Sequence, residues 1–378
     1  MTAAPPAFAH VELFDDPASA REIWRALAPC GSFYQSEKFV LSWLETCAAK
    51  EKATPFFISA RDESGAPVAF LPLFLFRRGP LRLAQFSGGK EANYNLGLFA
   101  DPDAFSGDEM RRLLRAAGRL AAAPPHLYRL INLPKLWQGK DNPLTRLPSA
   151  PSASPAFWTP LAADGEAFLR EKLSADTRKK MRKKEKALAE IGVLRYWRAE
   201  EDSEAARLLD ACFALKAQRF ESFAGAEDAR SFYGALSRGE SAAEWHALAA
   251  GERLVALFCG GVSGGRLQGL LNAFDPDPAV ARCSPGDLLL ARIFTDACAR
   301  GLDACDLGVG EARYKRMFCG HVDEMADALY APHALGAPAR VFFAAAQAAK
   351  RAIKNNPRLW NAIILRRRRA AQQKAEEN

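Results

Sequence analysis

Residues 266–319 read RLQGLLNAFDPDPAVARCSPGDLLLARIFTDACARGLDACDLGVGEARYKRMFC. A strand-like run (266–274) passes through Ser284, Pro285 and Gly286 into a stretch whose Leu288, Leu289, Ile293, Cys298 and Leu302 recur at helical spacing. A second strand-like run then ends at Asp306. The first amides of a helix lack partners and carry about half a positive charge, which suits a pyrophosphate. Proline in the first turn, and a glycine without a Cβ, let an anion approach the backbone. Asp287 opposes that reading, because its carboxylate repels phosphate, and an ordinary helix start has the same appearance. Beyond Asp306, Gly308 and Gly310 lead to Glu311, Tyr314 and Lys315, spaced to share one side of a helix. Ligands of open α/β sheets collect at such strand ends. A surface helix with a Glu–Lys pair fits the same spacing.

Outward from this stretch, the two halves of the chain repeat one order of elements. The first reads β-α-α-β-β-β-α-β: strand AFAHVELF, helices over 17–28 and 36–48, strands TPFFISAR, PVAFLPLFLFRR and RLAQF, a helix over 106–122 capped by Ser106, and strand HLYRLINLP. The second reads β-α-α-β-β-β-α-β-α-β. It has a strand FWTPL, one basic helix over 166–191 closed by Gly192, helices over 202–220, 228–238 and 287–300, and a last strand near MADALYA. The repeat predicts a tandem duplication of an α/β (α+β) module with mixed sheets. The expected divisions are an N-terminal module at 1–137, a Pro/Ser/Ala-rich linker at 138–156, a catalytic module at 157–335 and a basic helical tail at 336–378.

The chain has 378 residues and a net charge of +8, concentrated at 178–186 (RKKMRKKEK) and in the tail around Arg366 to Arg369. Such clusters favour anionic partners such as phosphates, nucleic acids or an acidic membrane surface. A solvated helix face is the plain alternative. The eight cysteines show no metal-ligand spacing, so they read as reduced and mostly buried, and no metal site is expected. The N-terminus lacks the charged and apolar regions of a secretion signal, and no apolar run reaches about 18 residues, which predicts a cytoplasmic protein. Trp360, Ile363 and Ile364 beside four arginines would let the segment 350–370 lie on the inner face of an anionic membrane, or dock on the protein itself.

The element order, with a glycine-preceded helix after the fourth strand, resembles the GNAT acyl-CoA N-acyltransferase superfamily. LSADTRKKMRKKEKALAEIG, SPGDLLLARIFTDACARGLDACDLG and GEARYKRMF are similar to the CelD/BcsL-type, cellulose-biosynthesis-like branch. FYQSEKFVLSW and FLPLFLFRRGPLRLAQFSGGKEANYN extend the likeness over most of residues 30–330. Tandem modules of this kind also resemble the FemABX aminoacyl-transferases. The resemblance implies acetyl-CoA or another acyl-CoA between strands 266–274 and 303–308, with its pyrophosphate on Ser284, Pro285, Gly286 and Asp287. The usual GNAT Gly-x-Gly phosphate loop is not matched here. Arg282 and Lys315 would add charge, and Asn272 would bond the pantetheine. Direct attack by an amine would draw on Asp306 or Glu311 as base, Tyr314 as acid for the leaving thiolate, and Lys315. The N-terminal half would shape the acceptor cleft, with Asn93 and Tyr94 reaching toward the acceptor, while Lys216 and Arg219 on FALKAQRF would face the acceptor or the CoA, or form a plain surface face. The acceptor would be an amine of a small molecule or of an envelope or exopolysaccharide precursor. A tRNA-dependent aminoacyl transfer, or a non-catalytic scaffold at a polysaccharide synthase, are the alternatives.

Overall fold

In the computed structural model, which describes residues 6–220, 223, 226–356 and 358, the chain first forms β1 (His10–Phe14), α1 (Pro17–Leu27) and α2 (Glu37–Thr46). Side-chain caps set both helix starts: Asp16 accepts from Ser19 N at 2.9 Å and Ser36 from Phe39 N at 3.2 Å. β2 (Ala53–Arg61), β3 (Pro67–Arg78), β4 (Leu81–Phe86), α3 (Gly107–Leu120) and β5 (Leu127–Pro134) follow. β2 and β3 are apolar almost throughout because both faces of their sheet are covered. Phe57, Phe70 and Phe74 pack with α1 and α2, while Phe56, Ile58, Leu71 and Leu73 pack with Met110 and Leu113 of α3.

The chain continues through β6 (Ser149–Pro151), β7 (Ala156–Pro160), α4 (Gly165–Lys172), α5 (Ala175–Ala189), β8 (Leu194–Arg198), α6 (Asp202–Ala217) and α7 (Glu227–Leu236). Next come β9 (Glu244–Ala250), β10 (Arg253–Ser263), β11 (Arg266–Phe274), α8 (Pro285–Ala299) and β12 (Ala304–Val309). The last elements are α9 (Arg313–Phe318), β13 (His321–Asp323), β14 (Met325–Tyr330) and α10 (Ala337–Asn355). Two mixed sheets result, ordered β1-β2-β3-β4-β5-β14-β6 and β8-β9-β10-β11-β12-β7-β13. The plans coincide strand for strand, so the chain is a tandem of two α/β modules, as the repeated element order predicts.

Several expectations need correction. MADALYA does not finish the second sheet: as β14 it lies between β5 and β6 of the first, and the equivalent place in the second is taken by β7. The segment 138–156 is not a free connector, since β6 pairs with β14. The single basic helix of 166–191 is two helices. Ser174 accepts from Thr177 N at 3.1 Å and starts α5 afresh, and Arg178 covers the end of α4 by donating to Arg170 O and Leu173 O. Gly192 is not the cap of α5, whose cap residue is Glu190. A Cβ on Gly192 would lie 2.5 Å from Gly251 N. Of the basic tail, α10 is described; Trp360, Ile363, Ile364 and Arg366 to Arg369 lie outside the described residues. Among those residues, no helix is long and apolar enough to cross a membrane.

The halves meet along Phe33–Phe39 and the loop after β4. A Cβ on Gly261 would fall 2.2 Å from the Phe33 ring, and Phe39 meets Phe232 edge-on at 5.2 Å. Phe33 N donates to Gln268 Oε1 at 2.6 Å, just where β11 begins to leave its neighbour. β11 and β12 run parallel and pair only through Arg266–Ala304, Leu267–Cys305 and Gln268–Asp306. Past that point they part, and Asn93 from the first half sits between them. Its Nδ2 donates to Gly269 O at 3.3 Å and to Tyr34 Oη at 2.7 Å, and its Oδ1 accepts from Val309 N at 3.2 Å. Gly308 makes room: it has φ +75°, and a Cβ there would meet Asn93 Nδ2 at 2.4 Å.

Gly308→Ala should therefore lower the unfolding free energy by about 1–3 kcal/mol, from backbone strain plus the clash. In an Asn93→Ala background the same change should cost less, because only the strain remains. Urea unfolding of the two single variants and the double variant measures the coupling. Additive losses would remove Asn93 from the gap.

Candidate active site

The parting of β11 and β12 opens a gap of about 170 Å³ lined by Asn93, Leu307, Val309, Tyr314 and Lys315, among others. A second cavity of about 200 Å³ adjoins it and reaches the start of α8, where Ser284, Pro285, Gly286 and Asp287 form one wall. Asn272 and Tyr314 line both and stand 3.5 Å apart. A chain-like ligand can thus lie with one end at the helix start and the other between the strands.

The start of α8 is not occupied by its own cap. Ser284 sits in the left-handed region (φ 50°) and makes no side-chain bond to the helix. Its hydroxyl instead accepts from Lys184 Nζ of α5 at 2.7 Å. Asp287, which sequence reasoning counted against an anion, is ion-paired with Arg313 on the same wall. A Cβ on Gly286 would approach only Phe274, at 3.9 Å, so the space beside Gly286 is free of protein. The helix dipole and Lys184 leave the mouth positive, and Arg313 neutralises the Asp287 carboxylate that would repel a phosphate.

Around the gap, Lys315 is 7% exposed and donates to Gly308 O at 3.1 Å and Val309 O at 2.9 Å. Burial draws its pKa down to about 8, against which the Asp306 charge acts. Burial also raises the Tyr314 hydroxyl. Asp306 is fully buried and does not line the gap. Its Oδ1 accepts from Gly308 N at 2.7 Å, and Arg266 lies 3.6 Å away, stacked between the Trp137 and Trp158 rings at 4.8 and 4.4 Å. Tyr94 Oη and Asp306 Oδ2 are buried neighbours, and the hydroxyl faces the carboxylate. Burial lifts Asp306 to about 6, with Arg266 and the Gly308 amide opposing.

The sequence-predicted residues divide accordingly. Asn272, Ser284, Pro285, Gly286, Asp287, Tyr314, Lys315 and Asn93 come together at the two cavities. Asp306 turns into the seam between the halves, so it is not placed to take a proton from an acceptor. Glu311 precedes α9 rather than joining it, is exposed and pairs with Arg316. Arg282 is exposed at the end of a helical turn (Pro278–Ala281) and lines neither cavity. Tyr94 is buried and does not reach the gap. Lys216 lies against the Phe223 ring at 4.5 Å, away from both cavities. Arg219 stacks on Phe274 at 3.9 Å, at the cavity rim. Sequence reasoning missed Lys184, one of several cations in a basic run, and Arg313, which stands inside the quoted stretch. Only the docking of α5 and α9 singles them out.

Residues 175–316 match the family model described as an acetyltransferase (GNAT) domain, which marks the chain as a transferase. No curated protein matches the chain in sequence. Among solved structures, FemX is similar at a TM-score of 0.60 and 11% identity, over 85% of this chain and 98% of its own. A domain described as the C-terminal (DUF2156) part of a lysylphosphatidylglycerol synthetase from Agrobacterium fabrum gives a TM-score of 0.52 at 15% identity, over 88% of this chain and 96% of its own. L-PGS from Bacillus licheniformis gives 0.51 at 11% identity, over 86% and 95%. These likenesses show a shared fold, a tandem of two α/β modules whose second module carries the GNAT match.

The two buried ions bend stability against pH in opposite senses. Asp306 binds its proton more tightly folded (about 6) than at its ordinary 3.8, so its contribution is present at low pH and is lost as pH rises through about 6. Lys315, lowered from 10.5 to about 8, contributes stability at high pH that is lost as pH falls through about 8. The difference in unfolding free energy, wild type minus Asp306→Asn, should therefore fall from about pH 4 to about pH 6 and level off above. A difference that climbs over that window would contradict the buried placement.

Proposed function

We propose that the chain is an acyl-CoA-dependent N-acyltransferase, with acetyl-CoA as the reference donor and an amine of a small molecule or an envelope or exopolysaccharide precursor as acceptor. One observation carries this reading: β11 and β12 pair over three residues only and then part toward a helix start bare of any side-chain cap, flanked by Lys184 and Arg313. A pantetheine arm fits between such strands, because it can bond the strand edges left without partners. Its pyrophosphate would meet Gly286 and the α8 amides.

In this reading the donor thioester lies between Asn93, Tyr314 and Lys315. The amine nitrogen attacks the thioester carbon, a C–N bond forms and the C–S bond breaks. The carbonyl oxygen gains charge and is stabilised by an amide on the β11 edge. With Asp306 and Glu311 turned away, Lys315 takes the amine proton; a lysine near 8 is partly neutral at physiological pH. Tyr314 gives its proton to the departing thiolate. Holding both substrates in one cleft supplies much of the rate by itself.

A second reading, aminoacyl transfer from tRNA, has one observation in its favour: α5 leaves Arg182, Lys183 and Lys186 exposed along one helix. Contact with an anionic membrane has another. Val341 and Phe342 of α10 are exposed, and that helix has four cations and no acidic residue.

Titration calorimetry with acetyl-CoA should give saturable binding. Gly286→Val, which adds bulk where no protein atom stands, should weaken it about tenfold or more (~1.4 kcal/mol) with the melting temperature unchanged. Binding of charged tRNA without acetyl-CoA would move the assignment to the second reading. Equal affinity of wild type and Gly286→Val would empty the proposed phosphate site. For the membrane contact, Phe342→Asp should reduce co-sedimentation with phosphatidylglycerol vesicles, and phosphatidylcholine vesicles should retain neither protein.

A further inference from the structure

The first sheet contains a second parting of strands that the transfer reading leaves unassigned. β4 and β5 are parallel and pair only through Leu83–Leu127 and Ala84–Tyr128. Beyond them lies a cavity of about 450 Å³, walled by α2 and α7. Arg129, the first residue of β5 past the last pair, lines it. Its Nη1 donates to Gln85, its Nε is buried without a hydrogen-bond partner, and it forms no salt bridge among the described residues. The nearby Asp327 carboxylate is already engaged by Asn132 N and Ser152. Arg129 also lies over the Phe343 ring at 5.1 Å, and Asp327 supplies a nearby charge but no salt bridge, so the buried Nε–H remains for an anion in the cavity to take.

A second unsatisfied group lines the same cavity. Asn95 is 4% exposed and donates Nδ2 to Ile131 O at 2.7 Å, which fixes Oδ1 as an acceptor, and Oδ1 has no partner. The other charges on the wall largely cancel: Arg78 pairs with Glu51, and Lys50 with Asp228. On the side toward the second sheet, Glu91 accepts from Tyr233 Oη at 2.7 Å, and that hydroxyl also reaches Leu270 O of β11 at 3.4 Å.

We propose that this cavity seats the acceptor of the transfer, and that the acceptor is an amine bearing an acidic group, a carboxylate or a phosphate, bound by Arg129. Asn95 Oδ1 takes a donor from the ligand, and the amine end faces Glu91 and Tyr233, toward the gap beside β11. The inference rests on the transferase reading for the word acceptor, but the site stands on its own groups.

The test uses matched amines and the full chain without acyl-CoA. Calorimetry should show glucosamine 6-phosphate binding at least about tenfold tighter than glucosamine, or 4-aminobutyrate at least about tenfold tighter than butylamine; which pair responds tells phosphate from carboxylate. Arg129→Gln should abolish the preference, Arg129→Lys should retain part of it, and Arg61→Gln, outside the cavity, should leave it intact. If Arg129→Gln does not fold, Asn95→Leu provides the second reading, with weaker binding of the preferred member. No preference in either pair, or a preference that survives both substitutions, overturns the site. Binding of the acidic amine without binding of acetyl-CoA keeps the cavity and removes the transferase reading; acetyl-CoA binding without any preference does the reverse.

Discussion

Everything at the candidate site depends on one side-chain amide taking the place of a strand. Where β11 and β12 stop pairing, their facing groups would either close the ladder or be left bare. Asn93 supplies a donor to Gly269 O and an acceptor for Val309 N, so these two groups are satisfied while the sheet stays open at its apex. The device needs a residue from the other half of the chain, a glycine at 308 to admit it, and Tyr34 to hold it. The two modules are therefore not independent beads. The first sheet also takes one strand, β14, from beyond its own half of the sequence, and a single apolar cluster joins Phe39 and Trp43 to Phe232 and Trp245.

The duplication has left the two sheets with one plan and two electrostatic characters. Both carry a parallel pair that parts early. In the second, the opening runs to the bare start of α8. In the first, the equivalent helix α3 is capped by its own Ser106, and the opening leads to Arg129. A helix start suits a phosphate approached along the backbone, whereas a side-chain guanidinium suits a smaller acidic group held from one side. In the reading proposed above, the same architecture serves two ligands, one at each parting.

Much of the architecture was legible. The 3.6-residue spacing in 287–302 and the apolar runs of β2 and β3 follow from local periodicity, and Ser106 and Pro285 are cap signals that need no tertiary context. The break between α4 and α5 was also written locally, in Ser174 and Thr177, but the unbroken run of charge hid it. The move of β14 into the first sheet was not legible, because a six-residue apolar strand carries no mark of which sheet it will join. The candidate site was readable to the extent that residues of one stretch, Ser284, Pro285, Gly286 and Tyr314, line one cavity. It was misread where the role depends on direction. Asp306 and Glu311 look alike in sequence; one turns into a seam of Arg266, Trp137 and Trp158, and the other out to Arg316.

By itself, the sequence determined the elements, their repeated order and the chemistry available near residue 286, since spacing, caps and glycines act within a few residues of chain. Tertiary structure alone decided which strands part, which cations gather at the α8 start and which carboxylates are withdrawn. Those outcomes depend on contacts such as Asn93–Gly269, Lys184–Ser284 and Arg313–Asp287, made between residues far apart in the chain, and only the packed core brings them within reach.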